Sequence, residues 1–239
     1  MAVVDVDQLR TKVKEMYKAV AQEPDGTFHF EMGRELALRL GYPADDLDRI
    51  PPEAIESFAG VGYYFDLAAL KEGETVVDLG SGSGMDTLVA ALKVGKKGQV
   101  IGIDMTDAQL DKAERLRAAA AFSNVAYRKG YIDRTSCADA SADVVISNGV
   151  INLAPDKASV FREAARLLKS GGRLAIADIV TDAQLPETIT CNADLWAACI
   201  GGAMQRDDYR TAIEAAGLKV KAVRENAGYL FISANARGA

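Results

Sequence analysis

Residues 75–106 read TVVDLGSGSGMDTLVAALKVGKKGQVIGIDMT, and the reading of this stretch decides the fold. Its first five residues, Thr75 to Leu79, form the β-branched, apolar run expected of a buried parallel strand. Gly80, Gly82 and Gly84 follow at alternate positions, where the missing Cβ lets the backbone turn tightly and lets a ligand approach the main chain. Asp86 to Val94 reads as a helix whose free N–H groups face that turn. A second strand, Gln99 to Ile103, ends on Asp104, about twenty residues beyond Gly84, where an acid at a strand tip takes hydrogen bonds from a ribose diol. Strand, glycine turn, helix, strand and acid form half of a Rossmann-like unit, so the expected ligand carries a nucleoside.

The glycine spacing narrows that ligand. A dinucleotide site has G-x-G-x-x-G, with a helix N-terminus aimed at a pyrophosphate. Here the pattern is G-S-G-S-G, and Asp78 stands two residues before its first glycine. Such an acid repels a pyrophosphate and suits the cationic amino end of S-adenosylmethionine. The stretch resembles motif I of the class I S-adenosylmethionine-dependent methyltransferases, which implies that cofactor.

The whole chain sets wider bounds. Its 239 residues suffice for one α/β domain with an appendage, and 49% hydrophobic with 26% charged residues is ordinary globular composition. A net charge of −6 argues against a nucleic-acid face, which needs a basic patch. No apolar run approaches the ~20 residues of a membrane span, and the first residues lack a signal-peptide block. Three cysteines without a C-x-x-C fit a reducing cytoplasm, and one histidine with scattered carboxylates gives no metal cluster. The expected protein is therefore cytoplasmic, with no nucleic-acid or membrane partner. Oligomeric state is not legible.

Taken in order, residues 1–72 read as a helical cap and residues 73–239 as the ligand-binding domain. Val6 to Gln22 is an amphipathic helix broken by Pro24-Asp25-Gly26, and shorter helices follow, ending near Gly41 and spanning Glu53 to Phe58. After Asp104 come a helix from Asp107 to Ala121 with Thr106 as its N-cap, a strand from Val125 to Lys129, and another from Ala142 to Ser147. A helix from Lys157 to Leu168 stops at Gly171-Gly172, and a fifth strand covers Arg173 to Asp178. Residues 181–204 read as a lid inserted between the fifth and sixth strands. A helix from Arg206 to Ala216 and two strands, Lys219–Arg224 and Tyr229–Ala234, complete the chain. The expected fold class is α/β, a Rossmann-like seven-stranded sheet, mostly parallel with an antiparallel last strand.

Ligands in such sheets lie at the carboxyl ends of the strands. Asp78, Gly80, Gly82 and Gly84 end strand one, Asp104 and Met105 strand two, Gly130, Tyr131 and Ile132 strand three, and Asn148 strand four. Asp104 is assigned to the ribose, Met105 and Ile132 to the adenine faces, and Asn148 with the Gly80 region to the methionine end. For Met105 and Ile132, plain core packing is the competing assignment.

Further blocks are more particular. The run DVVISNGVINLAPDKASVFREAARLLKSGGRLAIAD at 143–178, the LWAACIGGAM at 195–204, GMD at 84–86 and KGYI at 129–132 are similar to the arsenite methyltransferase family. That resemblance implies a small-molecule methyl acceptor held by cysteine thiolates. The chain departs from it at two positions, with Val61 between Gly60 and Gly62 and Gly149 after Asn148, where the family carries cysteine. Cys199 alone stands at a family position, as a candidate substrate ligand or a buried small hydrophobe. Cys191 lies eight residues earlier, ~12 Å away if one regular helix spans both, although a turn at Thr190–Asn192 would close the gap. Cys137 reads as a bystander. His29, flanked by Phe28 and Phe30, is a weak candidate for a general base or a packing residue. Tyr17, Tyr63 and Tyr64 are candidates for the mouth of the site or for core. The expected activity is methyl transfer to a small molecule, with arsenic or an organic O, N, C or S nucleophile as acceptor. A non-catalytic cofactor-binding sensor or partner protein is the reading from another class.

Overall fold

A computed structural model describes residues 4–226 and 229–236. Five helices precede the sheet: α1 (Val6–Gln22), α2 (Gly33–Arg39), α3 (Ala44–Leu47), α4 (Pro52–Glu56) and α5 (Phe65–Ala68). The α/β alternation runs β1 (Thr75–Leu79), α6 (Met85–Val94), β2 (Gln99–Asp104), α7 (Asp107–Ala119), β3 (Val125–Lys129), β4 (Ala142–Asn148), α8 (Lys157–Leu167) and β5 (Leu168–Thr181). Two short helices, α9 (Glu187–Thr190) and α10 (Ala193–Ala197), lead to β6 (Met204–Gln205), α11 (Arg206–Ala215), β7 (Leu218–Asn226) and β8 (Tyr229–Ala236).

Seven strands lie in the order β3-β2-β1-β4-β5-β8-β7. Strands β3, β2, β1, β4 and β5 pair in parallel, while β8 is antiparallel to both β5 and β7. The order reverses between β1 and β4, and there the carboxyl ends diverge into a crevice. The expected sheet is therefore present. An eighth strand escapes the sequence reading, because the two-residue β6 pairs with the tail of β5 at Val180 and Thr181. Strand β5 itself is far longer than its apolar run, since Leu168 at one end pairs with Ala142 of β4 and Val180 and Thr181 at the other pair with β6.

The sheet is apolar on both faces. Val76, Val144, Ile146 and Ala175 pack against α6 and the short helices that precede β1, whereas Val77, Leu79, Val145 and Ile176 pack against α8 and α11. A smaller cluster lies over the carboxyl ends. Leu9 and Val13 of α1 meet Ala193, Trp196 and Ala197 of α10 and Leu153, with Tyr17, Met105 and Cys199 at its margin. Lys12 pairs with Asp194 at 3.0 Å on the outside of this junction. Helix α1 thus joins the segment after β5 above the crevice. Two local readings gain detail, and the turn allowed for at Thr190–Asn192 is present. Thr106 takes the N-cap position of α7 without a side-chain capping bond, its own N–H going to Asp104. Residues 187–197 break at Cys191, where the Asn192 side chain accepts the Asp194 and Leu195 N–H groups and starts α10 afresh. Among the described residues no helix is long and apolar enough to cross a membrane.

Candidate active site

The crevice opens into a cleft enclosing about 1130 Å³ out to its mouth. Asp78, Gly80, Ser81, Gly82, Asp86, Asp104, Met105, Gly130, Tyr131, Ile132 and Asn148 all contribute to its wall. Gly84 does not line it, because a Cβ there would meet the Tyr127 hydroxyl at 2.1 Å, so this glycine serves packing.

The glycine turn is held from the side by Asp104. One carboxylate oxygen accepts the Gly82 N–H at 3.0 Å and the other the Thr106 N–H at 2.8 Å. Each oxygen keeps a second acceptor site. Burial raises the Asp104 pKa, and these backbone donors oppose the rise. Gly82 sits at φ +52°, and a Cβ there would find only Gln109 Oε1 at 3.7 Å. The turn therefore leaves space where a side chain would stand. Ser81 belongs to the wall, and its buried Oγ, turned toward Gly102, has no protein partner. An open glycine beside the Asp104 carboxylate on one wall suits a polar, hydroxyl-bearing ligand.

Two acids lie beneath. Asp78 is 2% exposed and accepts the Thr87 hydroxyl at 2.6 Å. Burial, and next the charge of Asp86, push its pKa up to about 8. It is therefore largely protonated at neutral pH until a cation approaches. Asp86 accepts the Tyr42 hydroxyl at 2.7 Å, the Tyr64 hydroxyl at 3.0 Å and Asn148 Nδ2 at 3.0 Å. Burial raises its pKa too, against those three donors. A cationic amino group fits beside Asp78, the acid left free of such donors, whereas a pyrophosphate does not.

At the other end, Tyr131 stacks under the Arg10 guanidinium at 4.3 Å and takes a hydrogen bond from Lys14 Nζ at 3.2 Å. Arg10 also approaches Asp133 at 3.7 Å. Gly130 donates its N–H to the Asp104 carbonyl at 2.9 Å, which sets Tyr131 and Ile132 beside Met105. Met105 also packs on the α1–α10 cluster and Ile132 on the sheet core, so both keep a packing role.

The remaining wall holds Tyr17, Phe58, Ala59, Gly60, Gly149, Val150, Leu153 and Ala154. Val61 and Gly149 are neighbours, since a Cβ at Gly149 would stand 3.2 Å from Val61 Cγ1. Cys199 Sγ lies 3.7 Å from the Tyr17 hydroxyl, and Asn152, which is buried behind it, donates to the Gly149 carbonyl at 3.0 Å. Gly149 thus lines one end of the cleft, with Val61 packed beside it and Cys199 joined to it through Tyr17. Burial pushes the Cys199 thiol up to about 11, with the Tyr17 hydroxyl and the Asn152 amide opposing. A thiol so placed is protonated at neutral pH. No hydrogen bond joins Cys199 to Cys191 among the described residues, and both are free thiols.

Other candidates lie elsewhere. His29 is exposed, edge-on to Phe30 at 4.8 Å, and away from the cleft wall. Cys137 is buried in the lower core beside Arg128. Tyr63 packs on Tyr42, and Tyr64 is fully buried against Asp86, so only Tyr17 of the three tyrosines reaches the cleft. Asn148 lines the cleft, but its side chain is already engaged. Its Oδ1 accepts the Val61 N–H at 2.8 Å, and its Nδ2 reaches Gly62 O, Tyr42 Oη and Asp86. Sequence reasoning missed the role of Asp86 and Tyr42. The one available signal was an acid in the first turn of an otherwise apolar helix.

Comparison with known proteins agrees with this geometry. The family described as "Methyltransferase domain" matches residues 70–217. An arsenite methyltransferase of Halobacterium salinarum is 42% identical over 181 residues, covering 76% of this chain and 46% of that protein. The human arsenite methyltransferase is 45% identical over 138 residues, 54% of this chain and 37% of that one. The chain thus spans less than half the length of these curated relatives. The crystal structure of CrArsM, an arsenic(III) S-adenosylmethionine methyltransferase from Chlamydomonas reinhardtii, superimposes with a TM-score of 0.67 at 34% identity, covering 80% of this chain and 71% of that one. By these matches and by its sheet, glycine turn and acids, the chain belongs to the methyltransferase-domain family, as a class I S-adenosylmethionine-dependent member resembling the arsenite methyltransferases.

Proposed function

We propose that this chain transfers a methyl group from S-adenosylmethionine to a small-molecule acceptor in a reducing cytoplasm, and that arsenite is a poor acceptor for it. The observation that carries the methyl-transfer reading is the open turn at Gly82, flanked by Asp104 on one side and Asp78 below. Asp104 would hold the ribose hydroxyls. Asp78 would take the methionine end, giving up its proton to face the amino group. Met105, Tyr131 and Ile132 would flank the base. When bound, the cofactor supplies an electrophilic methyl on a sulfonium.

The chain's own residues then need little covalent chemistry. They must align the acceptor with that methyl, an effect worth up to ~7–11 kcal/mol in favourable cases. They must also keep water out, a task that suits α1 and the lid at 181–204 above the cleft. The acceptor end carries no ionised thiol. Val61 and Gly149 bring none, and Cys199 is held neutral. This favours a second reading within the same chemistry, methylation of an organic nucleophile. A soft nucleophile brings its own unshared pair, whereas a phenol or acid needs a base or selection of the anion.

The test is a labelled-methyl screen offering arsenite with glutathione, thiophenol, phenol and benzoate, alongside calorimetry with S-adenosylhomocysteine. Label on an organic acceptor, with arsenite slower, is the expected result. Binding with no transfer to any acceptor would favour a cofactor sensor, and no binding would end the reading altogether.

A further inference from the structure

The loop from Gly60 to Gly62 reaches the acceptor end of the cleft, yet it belongs to no helix or strand. Its position is set instead by side chains from three other elements. Asn148, at the end of β4, accepts the Val61 N–H and donates to the Gly62 carbonyl at 3.1 Å. Tyr42, after α2, reaches the same carbonyl at 3.4 Å. Both Asn148 and Tyr42 also donate to Asp86, in the first turn of α6 directly after the glycine turn. The loop is packed as tightly as it is bonded. A Cβ at Gly60 would meet Phe58 at 2.4 Å and Asn148 Nδ2 at 2.6 Å, and one at Gly62 would meet Phe231 at 2.1 Å.

Asp86 is the hub of this arrangement. Three donors converge on its two oxygens, Tyr42 on one and Tyr64 with Asn148 on the other. Only a carboxylate offers acceptors in all these directions. An amide has one acceptor oxygen and no charge. With its NH2 toward Tyr42 that hydroxyl must accept instead of donate, and with its NH2 toward Tyr64 and Asn148 the Asn148 side chain is pushed off. In either orientation the charge-assisted bonds that hold Tyr42 and Asn148 are lost. Tyr64 makes no bond to the loop, so its role is to hold the carboxylate. The network therefore ties the turn that would carry the cofactor to the loop that borders the acceptor.

We propose that Asp86 is a positioning residue for methyl transfer, fixing the Gly60–Gly62 loop, through Asn148 and Tyr42, at a set place relative to the glycine turn. The inference rests on the methyl-transfer reading above and adds to it which residue aligns the two halves. Misplacement of reacting groups by an ångström costs about a hundredfold in rate. Loss of the hub should therefore appear in turnover rather than in cofactor affinity.

Asp86→Asn is the decisive variant, being nearly isosteric. With the acceptor that takes label fastest among arsenite with glutathione, thiophenol, phenol and benzoate, kcat should fall about 30- to 100-fold. The Kd for S-adenosylhomocysteine, measured above pH 8 where Asp78 is ionised with or without the Asp86 charge, should stay within about threefold. Amide hydrogen exchange gives a readout that needs no activity. The Val61 N–H, bonded to Asn148, should lose protection while β1 and β2 keep theirs. Asn148→Asp alone should also slow turnover, because it sets two carboxylates against each other. The double variant Asp86→Asn with Asn148→Asp restores an amide facing a carboxylate, so it should recover part of the rate and of the Val61 protection. If Asp86→Asn fails to fold, Tyr42→Phe keeps the ring, removes bonds to both Asp86 and Gly62, and should show the same kcat-against-Kd split more weakly.

Losses that simply multiply in the double variant, unchanged Val61 exchange in Asp86→Asn, or a fall in cofactor affinity that accounts for the whole loss would each overturn the proposal. Cofactor binding by the wild type without label on any acceptor would remove the underlying methyl-transfer reading, and the proposal with it. A fast wild type whose Asp86→Asn variant is equally fast would remove the proposal alone.

Discussion

The two ends of the cleft are assembled in different ways. At the cofactor end, Asp78, Ser81, Gly82 and Asp104 all come from residues 75–106. At the end proposed for the acceptor, Tyr17 comes from α1, Gly60 from the loop before α5, and Gly149 and Leu153 from the chain after β4, with Cys199 from beyond α10 behind Tyr17. The first end is one supersecondary unit, whose turn and strands force its geometry. The second is a meeting of distant segments, and its chemistry depends on how they pack. The cofactor end should therefore fail sharply under single changes, and the acceptor end should respond to changes made in pairs.

Gly82→Val gives the sharpest break. The residue must hold φ +52° and leaves open space on the cleft side. A branched side chain is strained there and fills that space, so S-adenosylhomocysteine binding should be lost, with affinity down more than about a hundredfold, while the thermal melt stays cooperative. Wild-type affinity would remove the turn from the cofactor site.

Asp104→Ala comes next. Calorimetry should show binding weakened by about 1.5–3 kcal/mol, the range for hydrogen bonds to a charged group. The same carboxylate braces the Gly82 and Thr106 N–H groups, so part of the loss comes from a loosened turn. Unchanged affinity would show that the acid does not hold the ribose.

A pH titration probes Asp78. Its pKa of about 8 in the ligand-free protein leaves it neutral at pH 6–7, and pairing with an ammonium group requires the carboxylate. Affinity for S-adenosylhomocysteine should rise from pH 6 towards 8, by no more than about tenfold per pH unit, and then flatten. The effect on folding has the opposite sign. Folded Asp78 keeps a proton that the unfolded chain releases near 4, so its contribution to stability is full below that pH and is lost as pH rises through about 8. A flat binding profile between pH 6 and 8 would detach Asp78 from the amino group.

The smallest effect is a gain at the acceptor end. Gly149→Cys alone must adopt φ +70° and crowd Val61, so it should lower the melting temperature and add no arsenite turnover. With Val61→Cys the crowding is relieved and two thiols share the space, so arsenite methylation should rise about three- to tenfold above a weak wild-type rate. Rapid arsenite methylation by the wild type that survives Cys191→Ser and vanishes with Cys199→Ser would reverse this argument, because one protein thiol would then suffice.

The glycine turn, the acids beside it and the order of the α/β units were legible in the sequence. Their signals are local: a β-branched run, glycines at alternate positions, and an acid at a strand tip. Each of these residue types is required by backbone geometry or by burial within its own segment. Strand β6 was not legible, since two residues carry no periodicity and pair only because the tail of β5 passes beside them. The break at Cys191 in the segment after β5 rested on a single capping asparagine. Tertiary structure alone decided that Gly84 packs against Tyr127, that Val61 faces Gly149, and that His29 stands outside the cleft. It also gathered Tyr42, Tyr64, Asp86 and Asn148 into one buried network. A hydrogen bond between residues far apart in the chain leaves no mark in the sequence near either one, because what fixes it is the packing of the elements between them.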